Sequence, residues 1–349
     1  MKRFLLVGLG SIGQRHARLL RQILGDQVAL SCWRQRKLNV IIDDQLSATF
    51  DRSPEEHYGI RSLPSLEEAL QEPDLDGVFV TNPIADHMAI ALAAARHGKH
   101  IFIEKPLASS WQGVAELDHL VRERGLVCTV AYMLRFHPAM RTIRALLQAG
   151  RLGRLVAANF HFGESLPYMH PYEDYRQGHM ARRDQGGGVI FCLSHEIDSA
   201  LWLLGKPASV CAVGGHLSQL QLAGVEDTAS LLFAVPQTDG RTIPVHVHLN
   251  FLQRPAQRFM TIIGEKGWLH WDYFANAVDV YDGETRQNER VSFADFQRND
   301  MFLDELNNFL AALDGKETLV TPLQAGMDVL AVCLAAHQAL QSGQVEKVV

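Results

Sequence analysis

The chain has 349 residues, 47% of them hydrophobic and 21% charged, which is the composition of a globular protein long enough for two domains. Its formal net charge of −6 provides no overall basic field, so we expect no nucleic-acid partner. No apolar run approaches the length of a transmembrane helix, and the five cysteines form no C-x-x-C pair. These features predict a cytoplasmic protein with reduced thiols and no membrane partner.

The stretch Gly8-Leu9-Gly10-Ser11-Ile12-Gly13 follows an apolar run typical of a strand and precedes a run typical of a helix. In this context the first glycine allows a tight turn, the second lets the backbone approach a pyrophosphate, and the third lets the helix pack on the strand. The first N–H groups of the helix then face the anion. The stretch therefore predicts a dinucleotide site formed by Gly8, Gly10, Ser11, Ile12 and Gly13.

The second predicted strand, residues 28–33, ends where such domains select between NAD and NADP. An acidic residue there accepts the 2′-hydroxyl of NAD, whereas a cation favours the 2′-phosphate of NADP. This chain has Arg34, Arg36 and Lys37 at that point, which slightly favours NADP over NAD. The alternatives are an exposed basic turn and an Arg34 that stacks on the adenine without selecting the phosphate.

Strands and helices continue to alternate up to a strand at residues 126–131, and a helix is predicted at residues 109–124. Two of the strands end in Asn82-Pro83 and in Glu104-Lys105-Pro106, at the sheet edge where ligands bind in such folds. Desolvation of Lys105 at this edge would lower its pKa and make it a usable acid or base near neutrality. The alternative is an exposed loop lysine paired with Glu104.

Further motifs extend along nearly the whole chain. They are Thr81-Asn82-Pro83 with His87, Glu104-Lys105-Pro106, Tyr132-x-x-Arg135-Phe136-His137-Pro138, Gly186-Gly187-Gly188 followed by His195-x-x-Asp198, and Trp202-Leu203-Leu204-Gly205. Together with the glycine-rich turn, they resemble the Gfo/Idh/MocA oxidoreductases, which include glucose–fructose oxidoreductase and inositol dehydrogenase. The resemblance implies an α/β N-terminal Rossmann domain, residues 1–130, that binds NAD(P). It also implies an α+β C-terminal domain with a large, mostly antiparallel sheet, residues 131–349, for substrate binding and oligomerisation.

The resemblance implies that the cofactor lies between the two domains, with Lys105 near the nicotinamide. Residues that it places at the cofactor are Thr81, Asn82, Pro83, His87, Glu104, Lys105 and Arg135. The family usually has an Asp a few residues before the histidine that corresponds to His195, whereas this chain has Phe191 and Cys192 in that region. Asp198 could orient the His195 imidazole instead, since residues three apart share a helix face, or it could be an ordinary helix residue.

Residues 163–188 are too polar for a core and too long for a simple connection, which indicates a functional segment. Its side chains suit a hydroxyl-rich or carboxylated substrate, and Arg176, Arg182 and Arg183 would suit the carboxylate. The residues predicted at the substrate are His170, Tyr175 and Arg182, together with Asp198. We expect no metal, because the spacing of the histidines and acids here matches no common site.

One helix is predicted over residues 189–204, and amphipathic helices over residues 138–148, 299–310 and 322–341. The strands predicted in the second half cover residues 155–162, 209–213, 228–235, 243–250, 259–263, 268–271 and 278–281. His246, His248 and Asn250 alternate along one strand and so share a face of the sheet, which could be a metal pair but is more typical of an exposed or cleft-facing surface. The family resemblance implies a homodimer or homotetramer formed through this sheet.

The predicted activity is hydride transfer between the nicotinamide and a secondary alcohol or ketone of a sugar or sugar acid, with Lys105 and His195 handling the proton. The segment around His170 and the hairpin turn at residues 264–267 resemble family members associated with surface-polysaccharide or sialic-type sugars. Two other hypotheses stay open. The incomplete Asp–His pair favours a non-catalytic NAD(P) sensor, and some family glycosidases use transient oxidation to drive elimination and recycle their NAD.

Overall fold

The structure is a computed structural model that describes residues 1–36 and 39–349. Lys37, one of the three cations expected to favour NADP, lies outside the described residues. In the described part of the chain the first third forms a parallel sheet covered by helices, and the rest forms a large, mostly antiparallel sheet. The predicted fold class is confirmed.

The first part of the chain alternates strands and helices. Its strands are β1 (Lys2–Val7), β2 (Val28–Trp33), β3 (Ile41–Ile42), β4 (Ala48–Thr49), β5 (Arg61–Ser62), β6 (Gly77–Val80), β7 (His100–Glu104) and β8 (Cys128–Ala131). Its helices are α1 (Ser11–Leu24), α2 (Pro54–Tyr58), α3 (Leu66–Leu70), α4 (Ile84–Arg96) and α5 (Val114–Glu123). The parallel sheet has the order β5-β2-β1-β6-β7-β8, while β3 and β4 pair separately. The order reverses beside β1, so the crevice at its carboxyl end is the expected ligand site.

The second part of the chain contains the larger sheet. Its helices are α6 (Pro138–Gln148), α7 (Leu166–Met169), α8 (Val189–Cys192), α9 (His195–Leu204), α10 (Arg298–Leu313) and α11 (Leu323–Ser342). Its strands are β9 (Leu155–Gly163), β10 (Ser209–Gly215), β11 (Thr228–Pro236), β12 (Thr242–Asn250), β13 (Gln257–Gly264), β14 (Gly267–Asp272), β15 (Ala277–Asp282), β16 (Gln287–Ser292) and β17 (Glu346–Lys347). They lie in the order β16-β15-β14-β13-β9-β12-β11-β10-β17, and β9 and β12 run parallel.

Two helices differ from the sequence prediction. The helix predicted from residue 109 begins only at Val114, because Gly113 before it has a left-handed φ of +82° that cannot continue a helix. The single helix predicted over residues 189–204 is two helices, α8 and α9, with Leu193 and Ser194 between them. This break places Cys192 at the end of one helix and His195 at the start of the next. The strands β16 and β17 were not predicted.

A helix from the C-terminal part of the chain completes the core of the first sheet. Phe309 of α10 packs against Phe4, Phe79 and Phe102, with ring centroids 6.4, 5.7 and 5.4 Å away. The first sheet therefore does not bury its face with residues 1–130 alone. The domain boundary at residue 130 stays a prediction.

One described helix, α11, is long and apolar enough by composition to span a membrane, with a mean hydropathy of 1.3. Half of this apolar stretch of α11 is buried inside the protein, and α11 packs against β10 and α9. These contacts are those of a core helix.

The packing of α10 predicts that Phe309→Ala destabilises the protein by about 3 kcal/mol or more, because it leaves a cavity under the first sheet. Phe274→Ala is the matched control, since Phe274 is 57% exposed and its truncation should cost about 0.5 kcal/mol or less. Urea unfolding followed by circular dichroism measures both. Equal losses in the two variants would show that α10 does not support this core.

Candidate functional site

The glycine-rich turn has the geometry that a pyrophosphate requires. Gly8 has a φ of +102°, and a Cβ on Gly13 would lie 2.3 Å from the Gly8 carbonyl oxygen, so both positions need glycine. A Cβ on Gly10 would meet no described atom within 4 Å, so the space above the turn is open. Ser11 begins α1, whose first N–H groups face this space. The residues present therefore fit the pyrophosphate of a dinucleotide.

The end of β6 supports this turn from below. The Thr81 hydroxyl donates to the Gly8 carbonyl oxygen at 2.8 Å and fixes the loop. The neighbouring Asn82 Oδ1 is buried and has no hydrogen-bond partner among the described residues. An acceptor of this kind at the sheet edge fits a hydroxyl or amide of the cofactor.

His87 is used by the protein backbone. Its Nδ1 lies 2.9 Å from the Pro106 carbonyl oxygen and its Nε2 lies 2.9 Å from the Asn82 carbonyl oxygen. Burial lowers the pKa of His87, and the contacts with the two carbonyl oxygens oppose the shift. His87 thus joins the turns after β6 and β7. Its direct role at the cofactor stays a prediction.

Glu104 is fixed by a histidine that the sequence analysis did not single out. The His16 Nε2 lies 2.7 Å from Glu104 Oε1, and His16 is fully buried on α1. His16 follows Gly13 by about one helical turn, and this spacing on α1 is the sequence feature that could have identified His16 as a site residue. The pair connects the glycine-rich helix to the residue before Lys105.

Lys105 lies at the carboxyl end of β7 and points into the interior. Its Nζ donates to the main-chain carbonyl oxygen of Cys192 at 2.5 Å. Burial lowers the pKa of Lys105, and the Arg258 charge adds to this effect, whereas the Glu104 and Glu196 charges oppose it. A neutral carbonyl therefore contacts the lysine in the region where the family usually has an Asp.

His195 begins α9 beside this lysine. It is buried, its ring packs edge-on against Tyr132 with centroids 5.7 Å apart, and its Nδ1 has no partner among the described residues. Burial holds the pKa of His195 well below 6.5, and the charges of Lys105 and Arg258 lower it further. The structure brings Lys105 and His195 together, with the imidazole neutral.

Of the two alternatives for Asp198, its contacts favour an ordinary helix residue over one that orients His195. Its carboxylate accepts hydrogen bonds from Arg135, at 2.7 Å from Nη2 and 3.1 Å from Nε, in an ion pair that is buried on both sides. Arg135 also donates to the Val320 carbonyl oxygen. Arg135 was predicted at the cofactor and Asp198 at the substrate, but their contacts are with each other because neither buried charge could be left unpaired.

A second buried ion pair lies behind the site and was not predicted. Arg258 Nε donates to Glu196 Oε1 at 2.6 Å, and the side chains are 7% and 4% exposed. Burial raises the pKa of Glu196, and Arg258 opposes the rise. The signal was available in the sequence, because Arg258 occupies the inward register of β13 together with Met260 and Ile262.

The segment of residues 163–188 crosses the cleft. Burial raises the pKa of Tyr172 to about 12, and the nearby Ser11 side chain at the glycine-rich turn opposes the rise. Burial also lowers the pKa of His179 to about 3, and the charges of His170 and Lys105 add to the shift. His179 is therefore close enough to Lys105 to feel its charge, and the His170 ring lies 6.5 Å from the His179 ring. His179 was not among the predicted substrate residues.

The polar surface of this segment is paired within itself. Arg176 donates to Asp174 at 2.6 Å, and Arg182 donates to Asp184 at 2.6 Å, with both arginines substantially exposed. The Tyr175 hydroxyl accepts from the Gln221 backbone N–H at 3.2 Å. These contacts do not support the prediction that the exposed arginines bind a substrate carboxylate, because each pairs with a neighbouring aspartate.

The ribose end of the cleft contains an acidic residue that was not predicted. Arg34, directly after β2, donates to both oxygens of Glu55 at 2.7 and 2.6 Å. Glu55 comes from α2 and not from the end of β2, which is why inspection of the residues after β2 missed it. The cation expected to favour NADP is thus ion-paired with a carboxylate.

The outer face of the larger sheet carries a row of histidines. His161 and His248 lie on neighbouring strands with ring centroids 5.1 Å apart, and His246 lies 6.4 Å from His248. The His248 Nδ1 is 2.7 Å from the Ser230 hydroxyl. Within residues 1–36 and 39–349, no three histidine, cysteine, aspartate or glutamate residues are grouped so that they could hold a metal ion.

The chain is similar to enzymes that act on sugars. It is 28% identical to a 1,5-anhydro-D-fructose reductase of Ensifer adhaerens over 291 residues, which cover 82% of this chain and 84% of the relative. It is 25% identical to a UDP-N-acetylglucosamine 3-dehydrogenase of Acidithiobacillus ferrooxidans over 97% of this chain and 96% of the relative. The fold superposes on levoglucosan dehydrogenase in complex with NADH with a TM-score of 0.83 at 18% identity, covering 100% of this chain and 99% of the other.

Two family models cover most of the chain. One, described as an oxidoreductase family with an NAD-binding Rossmann fold, matches residues 2–132, and the other, described as the GFO/IDH/MocA C-terminal domain, matches residues 140–270. The matches agree with the parallel sheet, its glycine-rich turn and the larger sheet that follows. The chain therefore belongs to the Gfo/Idh/MocA family and is an NAD-binding oxidoreductase.

Proposed function

We propose that this protein transfers a hydride between NAD and a secondary alcohol or ketone of a sugar or sugar acid. The observation that carries the proposal is the placement of Lys105, a desolvated lysine at the carboxyl edge of the Rossmann sheet and next to the neutral His195. A proton donor or acceptor at this point is what alcohol oxidation and ketone reduction both need. The similar proteins are named as enzymes that act on sugars, which supports a sugar-like substrate.

The nicotinamide of the bound cofactor accepts or supplies the hydride. In the oxidation, the neutral amine of Lys105 takes the hydroxyl proton while the hydride leaves the same carbon, so the alcohol loses two electrons and becomes a ketone. The proton that Lys105 takes would leave to solvent, and the neutral His195 would hydrogen-bond the reacting oxygen. The reverse reaction uses the Lys105 ammonium to protonate the alkoxide oxygen as the hydride arrives.

The substrate pocket would lie under residues 163–188. His179, whose pKa the Lys105 charge lowers, and the neighbouring His170 would provide donors and acceptors for sugar hydroxyls. Tyr172 joins the segment to the glycine-rich turn, so cofactor and substrate would be enclosed together. The exposed and internally paired Arg176 and Arg182 take no part in this proposal.

The Arg34–Glu55 pair changes the proposed cofactor preference from NADP to NAD. Both side chains are largely buried, at 7% and 14% exposure, and the carboxylate would repel a 2′-phosphate placed next to Arg34. A carboxylate at this position is also the group that accepts the 2′-hydroxyl of NAD.

The outer face of the larger sheet is the proposed surface for a homodimer or homotetramer. Besides the histidines, it carries the exposed apolar residues Leu232 and Ile263, which are 49% and 39% exposed. Association of two such faces would bury them.

Lys105→Ala should lower kcat about a hundredfold or more while the dissociation constant for NAD changes little, because the proton transfer group is lost and the glycine-rich turn is intact. Lys206→Ala is the control, since Lys206 lies on the surface in an ion pair with Asp328. The measurements are reduction of NAD in the presence of a sugar substrate and fluorescence titration with NADH. A variant with the native kcat would remove Lys105 from the mechanism.

The direction of the Lys105 shift predicts the pH dependence of alcohol oxidation. The neutral amine is the active form, so kcat/KM should rise with pH and level off below 10.5, the ordinary pKa of lysine. Ketone reduction needs the ammonium and should fall over the same range. The initial rates of both directions, measured from pH 5 to 10, check this; the same rising limb in Lys105→Ala would assign it to another group.

Glu55→Gln should raise the affinity for NADP relative to NAD about tenfold, because it removes the carboxylate charge that would repel the 2′-phosphate. Glu68→Gln, on the exposed start of α3, is the matched control. Dissociation constants for NADH and NADPH, measured by nicotinamide fluorescence, give the ratio without any substrate. An unchanged ratio would contradict the assigned role of Glu55.

A further inference from the structure

A buried carboxylate holds the helical turn behind Lys105 and was absent from the sequence analysis. Glu226 directly precedes Asp227 and β11 and is 8% exposed. Its Oε1 accepts from the Ile190 N–H at 3.0 Å, and its main-chain oxygen accepts from the Val189 N–H at 3.2 Å. Both donors are the first residues of α8, so one residue satisfies two N–H groups that a helix start leaves unpaired.

The other end of this short helix contacts the lysine. Cys192, the last residue of α8, presents the carbonyl oxygen that accepts from Lys105 Nζ at 2.5 Å. Only the single turn Val189–Cys192 separates Glu226 from Lys105. A shift at one end of so short an element must reach the other end.

The packing around Glu226 leaves little room for such a shift. Gly188, before α8, has a φ of +101°, and a Cβ there would lie 2.4 Å from Glu226 Oε1. The carboxylate is therefore pressed against the glycine backbone. The Ile190 carbonyl oxygen is in turn 3.8 Å from the Cys333 Sγ of α11. The turn is held from β11, from α11 and through Lys105 from β7.

We propose that Glu226 is a positioning residue for Lys105, whose ionised carboxylate fixes the turn that presents the Cys192 carbonyl to the lysine. The proposal rests on the proposed function, because it assigns Glu226 to the acid–base step of that reaction. When Glu226 is protonated, the charge-assisted hydrogen bond to Ile190 is replaced by a weaker one. The Cys192 carbonyl then holds Lys105 less firmly and the proton transfer slows.

The charges around Glu226 place its titration near neutrality. Burial raises the pKa of Glu226 to about 7, the Asp227 charge adds to the rise, and the Ile190 N–H and the Arg183 charge oppose it. His337 of α11 has its Nε2 3.8 Å from Glu226 Oε1, and burial together with the Arg183 charge lowers the pKa of His337 to about 4. His337 is therefore neutral throughout the range in which Glu226 titrates.

The remaining titratable neighbours also keep one state. Burial raises the pKa of the Cys192 thiol to about 12 and that of the Cys333 thiol higher still. Both thiols are neutral near pH 7. Besides Lys105 itself, Glu226 is therefore the group of this turn that we expect to titrate near pH 7.

The first experiment is an NMR titration of the full-length protein labelled with 15N and with 13C at the lysine Cε. The Ile190 amide reports on Glu226, and the Lys105 Cε signal, identified by its absence in Lys105→Arg, reports on the lysine. We expect the Ile190 shift near pH 7 to disappear in Glu226→Gln, and the Lys105 Cε titration, which the ionisation of the amine also produces, to change its profile around pH 7 in that variant. A Lys105 Cε profile that is identical in the native protein and in Glu226→Gln would overturn the proposal.

The kinetic test compares two substitutions at the same position. Glutamine keeps an acceptor for the Ile190 N–H but does not titrate, so Glu226→Gln should lose the decrease in kcat below pH 7. Alanine removes the acceptor, so Glu226→Ala should lower kcat about tenfold or more, with KM and the NADH dissociation constant little changed. Glu289→Gln on β16 is the control. Equal kcat values and pH profiles in the native protein, Glu226→Gln and Glu226→Ala would contradict the proposal.

The two experiments also separate this inference from the proposed function. If Lys105→Ala keeps the native kcat while the Lys105 signal still follows Glu226, the proposed catalytic function of Lys105 fails and the positional link stands. If Lys105→Ala is inactive and the Lys105 signal ignores Glu226, the proposed function stands and the positioning role is overturned.

Discussion

The structure depends on how a lysine is kept inside the protein without a carboxylate beside it. The Lys105 Nζ is desolvated at the end of β7, and the hydrogen-bond acceptor that it meets is the Cys192 carbonyl oxygen. A carboxylate at that distance would stabilise the ammonium and hold the proton on the lysine, whereas a carbonyl compensates for burial only in part. Burial lowers the pKa of Lys105, and the Arg258 charge lowers it further. The incomplete Asp–His pair noted in the sequence is thus compatible with an amine that exchanges protons.

Much of the chain surrounding this lysine maintains its geometry. His87 ties the turn that contains Pro106 to the turn that contains Asn82. His16 holds Glu104, the residue before the lysine. The α8 turn supplies the acceptor from the other side. The His16–Glu104 and Lys105–Cys192 contacts join residues 88 and 87 apart in sequence, and the second of them connects the two parts of the chain.

The fold was predictable because its signals are local. The glycine-rich turn, the alternating strands and the capped helices each depend on a few neighbouring residues. The motifs around Lys105 and His195 resemble those of a known family, and this resemblance implied the order of the two domains. The break between α8 and α9 was not predictable in the same way, because its residues Leu193 and Ser194 include no glycine or proline that would end a helix. At the break, the Cys192 carbonyl oxygen accepts a hydrogen bond from Lys105, which is 87 residues away in the sequence.

The partners of charged side chains were the least predictable part of the site. Arg34, Arg135 and Asp198 were recognised as candidates, but their pairing was not. Arg34 pairs with Glu55, and Arg135 pairs with Asp198, through elements that meet only in the fold. Arg258 could have been noticed, since a charge in the inward register of an alternating strand needs a buried partner. Its partner Glu196 is 62 residues away in the sequence, and no spacing rule connects the two.

The most direct test of the account is to mix the purified protein with NAD and a panel of sugars, sugar acids and nucleotide sugars and to follow reduction of the nicotinamide. The account predicts net reduction with at least one sugar-like alcohol, with the amount of NADH equal to the amount of ketone formed. Tight binding of NAD without net reduction by any compound in the panel would contradict a dehydrogenase. That result would favour a cofactor-binding sensor or a lyase that returns its hydride.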